Sequence, residues 1–253
     1  MELSEAAVSD PTVPRMEIVE WADRYGVVAG ITTRGQSPGH EFSLGLWSEE
    51  PVGQVMTRWR AFRAAFGERF PTVILSHQVH GVAVTWHGST TAGWHILDGV
   101  DGHATAAAGH LLTVTVADCI PVYLAVPQKR IVALLHAGWR GTAGRILDRA
   151  VELLKREAFC RSGEIVMHCG VGICGACYEV GSEVYQKVTG HASQGPAHVD
   201  LRAVLATQAA ELGMHDITIS SFCTAHDHDR FFSHRASGGR DGRIVAYAGF
   251  PRA

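Results

Sequence analysis

Five short runs of β-branched and other apolar residues, at 72–76, 82–86, 111–117, 121–126 and 131–136, crowd the middle of the chain and are bounded by turn residues. Runs of that length and composition predict strands. Before them, 25–33 reads as a first strand. Val52, Val55, Met56, Trp59, Phe62 and Phe66 recur at helical spacing and predict a helix over 52–66. After them, Ala143, Ile146, Leu147, Ala150, Val151 and Leu154 line one face of a long amphipathic helix. A strand at 164–169, helices from about 178 and from 200, and strands at 217–222 and 244–247 complete the pattern. Strands mixed with flanking helices predict an α/β fold, a single-domain layered α/β sandwich. Consecutive short runs around Cys119 predict a mixed, partly antiparallel sheet. Residues 1–15 offer little to pack and are expected to form a flexible tail, with 16–253 as one domain.

Composition narrows the function classes. A chain of 253 residues with 46% apolar content can bury a large core. The formal net charge is −3 and Lys and Arg are scattered, so a nucleic-acid surface has no electrostatic footprint and small ligands are favoured. The acidic start lacks the cationic and apolar regions of a secretory signal. No apolar run approaches the roughly 20 residues that span a bilayer. A cytoplasmic protein with no membrane partner, its six cysteines kept as thiols, is the expectation.

Candidate chemistry begins with His80 in Ser76-His-Gln-Val-His-Gly81, Cys119 in Ala117-Asp-Cys119 and His136 in His136-Ala-Gly-Trp-Arg-Gly141. Each stands at the edge of an apolar run, where a strand ends and presents its last side chain to a shared cleft. Two imidazoles and a thiolate bind zinc, and three protein ligands leave a fourth tetrahedral position open. Taken alone, a cysteine after an apolar run is more often a small buried hydrophobe, and a histidine a hydrogen-bonded structural residue.

The words Gln78-Val-His-Gly81, Asp101-Gly-His-Ala-Thr105, Ala117-Asp-Cys-Ile-Pro121, His136-Ala-Gly-Trp-Arg-Gly-Thr142 and Cys177-Tyr-Glu-Val180 follow one another as in the YfiH-type family. The chain resembles that family from about Gly30 to Tyr247. The family has carried the name laccase-like polyphenol oxidoreductase and is read as zinc-dependent purine nucleoside phosphorylase. The resemblance implies one catalytic domain with a zinc held by His80, Cys119 and His136. It also implies Arg140 at the metal, where a guanidinium can fork onto phosphate. Ser43 and Arg58 carry over as substrate contacts from segments similar to Ser-Leu-Asn-Leu and Asn-Arg, although Gly45 and Thr57 replace the asparagines. Arg235 carries over from Phe232-Ser-His-Arg235, where His234 replaces a tyrosine.

The implied activity is phosphorolysis of adenosine or inosine to base and ribose 1-phosphate, with adenosine deamination at the same open metal position. Two alternatives share the ligands: an amidase that edits peptidoglycan precursors, and a copper-dependent, laccase-like polyphenol oxidase, since His2Cys is also a blue-copper set. Only His226-Asp-His228 has the paired form a multicopper oxidase repeats. A non-enzymatic reading, with zinc as a clip in a binding module, is a further alternative, against which the open position speaks. Gly170-Val-Gly-Ile-Cys-Gly175 fits a dinucleotide fingerprint but is read as a close-packed turn. Cys174-Gly-Ala-Cys177 is expected to be a buried reduced pair, lacking a second Cys-x-x-Cys, and His226-Asp-His-Asp229 a solvated loop.

Overall fold

The computed structural model describes residues 3–10, 12–35 and 41–252. The chain begins with strands β1 (Ala6–Ala7) and β2 (Arg15–Glu17), helix α1 (Val19–Tyr25), strand β3 (Val28–Thr32) and helix α2 (Val52–Phe66). Seven strands follow: β4 (Thr72–His77), β5 (Val84–His87), β6 (Gly93–Asp98), β7 (Gly102–Thr105), β8 (His110–Val116), β9 (Ile120–Val126) and β10 (Ile131–Ala137). The remainder is α3 (Trp139–Ala143), α4 (Ile146–Ala158), β11 (Val166–Cys169), β12 (Glu179–Val180), α5 (Ser182–Thr189), β13 (Ala197–His198), α6 (Leu201–Glu211), β14 (Asp216–Ile219), α7 (His234–Ser237) and β15 (Ile244–Gly249).

Two mixed sheets pack face to face, with a small β12–β13 ladder beside them. One has seven strands in the order β1-β2-β3-β15-β8-β4-β6, and the other six in the order β14-β11-β9-β10-β7-β5. Side-chain alternation along a strand assigns the layers. In β9, Val122, Leu124 and Val126 join the core beneath α4 and α6, whereas Tyr123 and Ala125 face the seven-stranded sheet. In β15, Ala246 and Ala248 point into the space between the sheets, while Val245 and Tyr247 pack under α2 with Trp59, Phe62 and Phe66. Both faces of each central strand are thereby covered, which is why these strands read as continuous apolar runs rather than as alternating ones. The expected layered sandwich thus has four layers, helix, sheet, sheet and helices, and neither sheet closes into a barrel. Among the described residues no helix is long and apolar enough to cross a membrane.

Periodicity placed α2 at its observed bounds and the central strands to within two residues. The helix after β10 is in fact two, because Arg145 adopts a left-handed backbone (φ 59°) between α3 and α4. Ala143 and Ile146 keep their spacing across the break, so an apolar count cannot detect it. Of the expected tail, residues 1, 2 and 11 lie outside the described residues. Within the rest, the Leu3 amide donates to the Ile219 carbonyl at 3.0 Å. The buried Glu5 carboxylate accepts from Ser220 Oγ at 2.7 Å and lies 3.2 Å from His168 Nε2. The Glu5 carboxylate, the β1–β2 ladder and the buried Val13 side chain together hold this segment against the sheet.

Candidate active site

The three donors stand where the chain leaves one sheet for the other. Residues 78–83 carry it from β4 in the seven-stranded sheet to β5 in the six-stranded sheet, and residues 117–119 carry it from β8 to β9. His136 is near the end of β10, beside that second crossing. Such abrupt crossings need unusual backbone, and His80 (φ 59°) and Asp118 (φ 87°) both take positive φ. The ligating atoms of His80, Cys119 and His136 lie within 4.8 Å of one another. A Cβ on Gly138 would come 2.9 Å from Cys119 Sγ and 3.2 Å from His80 Cδ2, so only glycine leaves the space between these donors open.

Asp101 organises two of the three. Its buried carboxylate accepts from the amides of Val79 (3.2 Å), His80 (2.9 Å) and Gly81 (2.7 Å), which offsets the strain of the left-handed turn. The same carboxylate lies 2.9 Å from His136 Nδ1, leaving the other ring nitrogen for a ligand. Burial alone would raise the Cys119 thiol. The charge on His136 and hydrogen bonds from both imidazoles outweigh it and bring the thiol down to about 6. Burial opposes the charge on His136 as well, yet Cys119 and Asp101 raise it to about 9. Each of these groups thus favours the charged form of the other, and a cation bound between them would take the place of a proton.

Around these donors opens a cleft of about 530 Å³, lined also by Trp47, Gln78, Tyr178, His234 and the guanidinium-bearing Arg140, Arg235 and Arg243. Arg140 is the second residue of α3, two after the Gly138 cap, and lies over the Trp139 ring at 4.5 Å. Arg235 belongs to the one-turn helix α7, docked by Asp118: Thr224 Oγ1 (2.6 Å), Ser233 Oγ (2.7 Å) and the Arg235 amide (2.7 Å) all donate to that carboxylate. Gln78 braces the floor by bonding the Thr115 amide at 2.7 Å and its carbonyl at 2.9 Å. Burial, with the Cys119 charge nearby, pushes the Tyr178 hydroxyl up to about 12, so it remains a donor.

Ser43 and Arg58 stand elsewhere. Both line an adjoining hollow, where Arg58 Nε donates to the Ser43 carbonyl at 2.5 Å and its guanidinium pairs with Glu50. Arg243 lines both spaces, so the two hollows adjoin at this side chain. The two departures from the family words also find a place. A Cβ on Gly45 would meet Arg243 Cγ at 3.0 Å, so this glycine admits the arginine stem, and Thr57 Oγ1 bonds back to the Gly53 carbonyl at 2.9 Å. Arg243, Trp47, Asp101 and Asp118 carried no role in the sequence reading. Asp101 and Asp118 did stand inside two of the quoted words, which was the available signal.

The Cys174–Cys177 segment departs from expectation. Rather than packing as an isolated pair beside a solvated 226–229 loop, both cysteines converge with Cys223 and His226. The sequence does contain the complement, Cys223-Thr-Ala-His226, with the same two-residue spacing; a search confined to a second Cys-x-x-Cys passes over it.

Comparison with known proteins gives a consistent picture. A Deinococcus radiodurans protein named purine nucleoside phosphorylase is 33% identical over 252 residues, covering 95% of this chain and 96% of its own. A protein from an unknown prokaryotic organism, named adenosine deaminase RL5, is 33% identical over 245 residues, covering 86% and 92%. The crystal structure of YlmD from Geobacillus stearothermophilus matches with a TM-score of 0.85 at 27% identity, over 98% of this chain and 100% of that one. Residues 28–250 match the family described as multi-copper polyphenol oxidoreductase laccase, and the chain belongs to that family.

Proposed function

We propose that this protein is a zinc-dependent purine nucleoside phosphorylase with adenosine deaminase side activity. The observation that carries the reading is the juxtaposition of an open His2Cys donor set with three arginines around one cleft of nucleoside size. The names of the relatives, phosphorylase and deaminase, support both halves. The residues present fit a zinc ion: a depressed thiol, an imidazole oriented by a carboxylate, and a space a single Cβ would fill. His80, Cys119 and His136 would hold it, and the bound ion would supply a Lewis acid with an open position for water or a substrate oxygen. Copper is the weaker candidate, because among the described residues the donors gather in one group of three and one of four, not in a histidine-rich multinuclear set.

In this reading Arg140 binds inorganic phosphate through charge-assisted bonds, aided by Arg235 and Arg243 across the cleft. Held close to C1′ of the nucleoside, a phosphate oxygen forms the new C1′–O bond while the C1′–N bond breaks and its electron pair leaves with the purine. Exposed Trp47, stacked on His77 at 4.9 Å, gives the cleft rim a flat surface for the base. The test is to incubate metal-replete protein with adenosine, inosine and a muramyl-serine precursor, with and without phosphate, and to identify products. Ribose 1-phosphate formed only with phosphate, and inosine formed from adenosine without it, are the expected results. Base release at equal rate without phosphate, or cleavage of the muramyl-serine precursor alone, overturns the reading.

A further inference from the structure

We propose that Cys174, Cys177, Cys223 and His226 form a second metal site, a closed structural zinc site that clamps the two turns behind the cleft. Four donors arrive as two pairs, Cys174-Gly-Ala-Cys177 and Cys223-Thr-Ala-His226, each with the short spacing at which a turn folds two ligands onto one ion. Their ligating atoms all lie within 4.8 Å of one another. Around a tetrahedral zinc with bonds of about 2.3 Å to sulfur, donors sit about 3.7 Å apart, so little inward movement is needed. His226 presents its ring edge to the first pair, with Nδ1 3.7 Å from Cys174 Sγ and Nε2 3.1 Å from Cys177 Sγ, and one of these nitrogens would serve as the ligand. The Cys174 amide points at Cys223 Sγ at 3.2 Å, which ties the second turn's sulfur to the first turn.

The two turns are joined independently of any ion. Gly172 and Cys223 pair as a parallel bridge, the Thr224 amide bonds to the Gly172 carbonyl, and Asp227 closes the second turn on the Cys223 amide at 2.9 Å. A cysteine used as apolar filler lies within the core, as Cys160 and Cys169 do. Cys174, Cys177 and Cys223 belong to none of the apolar clusters, and the first two are partly exposed. A Cys174–Cys177 disulfide would leave Cys223 and His226 pointing at sulfurs with nothing to share. Three thiols and one imidazole instead complete a closed set, releasing thiol protons to solvent as the ion binds and keeping no position open for substrate. The clamp would act on the cleft from behind. Ile173 and Tyr178 flank the first pair and line the cleft, while Thr224 follows Cys223 and bonds to Asp118.

The full-length Cys119→Ala protein isolates this site from the first. Elemental analysis is expected to give about two zinc ions per wild-type chain and about one per Cys119→Ala chain, falling to none when Cys223→Ser is added. Cobalt added to metal-stripped Cys119→Ala protein should bind one equivalent, with strong near-ultraviolet thiolate-to-cobalt bands and intense visible bands of a tetrahedral centre. Should the Cys223→Ser form not fold, thiol labelling of native wild-type protein gives the same answer. Cys174, Cys177 and Cys223 should resist alkylation when metal-loaded and react after chelation. A Cys119→Ala protein that takes up neither zinc nor cobalt, or a metal-replete wild type whose Cys174 and Cys177 alkylate freely or are joined by a disulfide, overturns the proposal. Because none of these readouts uses nucleoside turnover, they stand or fall apart from the phosphorylase reading.

Discussion

The two Cys/His clusters of this molecule are built by opposite means. The three donors in the cleft come from the ends of different strands, distant in sequence, and are held by the sheets and by Asp101. The four behind the cleft come as two short-spaced pairs, each on its own turn. A site mounted on sheet ends stays formed without its ion and can leave a position open for chemistry. A site mounted on two turns already joined by a bridge and backbone hydrogen bonds can fill every position with protein ligands, which suits a clamp. Buried His136 carries a raised affinity for its proton, whereas His103, equally buried but facing His87 rather than a thiolate, is brought down to about 3 mainly by burial. Neighbouring charge, rather than depth, separates these histidines.

The largest effect that would break this contrast is loss of the cleft donors. Cys119→Ala or His136→Ala should lower phosphorolysis by about 1,000-fold or more, since several kcal/mol of charge stabilisation would go with the ion. Circular dichroism of either variant should stay near wild type, because the sheets, not the metal, form this site. Collapse of the fold would make the cleft set as structural as the other. Arg140→Ala comes next, with an expected loss of roughly 2–3 kcal/mol, or about 30- to 150-fold, in kcat/KM for phosphorolysis. Deamination needs no phosphate and should fall less; equal losses in both assays would remove Arg140 from phosphate binding.

Asp101→Asn tests whether one carboxylate sets two donors. It should weaken zinc binding in the cleft by about 10- to 100-fold, measured by chelator competition in protein whose second cluster is kept loaded. Unchanged affinity would reassign Asp101 to the turn alone. The smallest step is a pH effect. Between about 6 and about 9 Cys119 has lost its proton while His136 still holds one, so zinc uptake displaces one proton and affinity should rise about tenfold per pH unit. Below about 6 the thiol also holds its proton and the slope steepens; above about 9 it flattens. A flat profile from pH 6 to 9 would show that His136 is not charged in the free site.

Reading by motif reached the cleft donors because each lies in a distinctive word at the end of an apolar run. Ser43 and Arg58, carried over from similar words, lie instead in the adjoining hollow that Arg243 also lines, where Arg58 bonds to the Ser43 carbonyl and to Glu50. Strand β6 was missed because Gly93–Asp98 is a sheet edge with half-exposed residues and no sustained apolar signal. Glu5 gave no hint of burial, since its partners Ser220 and His168 are distant in sequence.

Local order was written into the chain: which segments are strands, which face of α2 and α4 is apolar, and which residue types stand at the strand ends. Apolar periodicity encodes these because it records, residue by residue, which side leaves water. Which strand ends meet was settled at a higher level. The crossings at residues 78–83 and 117–119 place His80 and Cys119 beside His136, Asp101 reaches both histidine-bearing segments, and two turns some fifty residues apart bring four more donors together. No local pattern carries that information, because such pairings follow from sheet order and from how two sheets stack, and those depend on the whole chain at once.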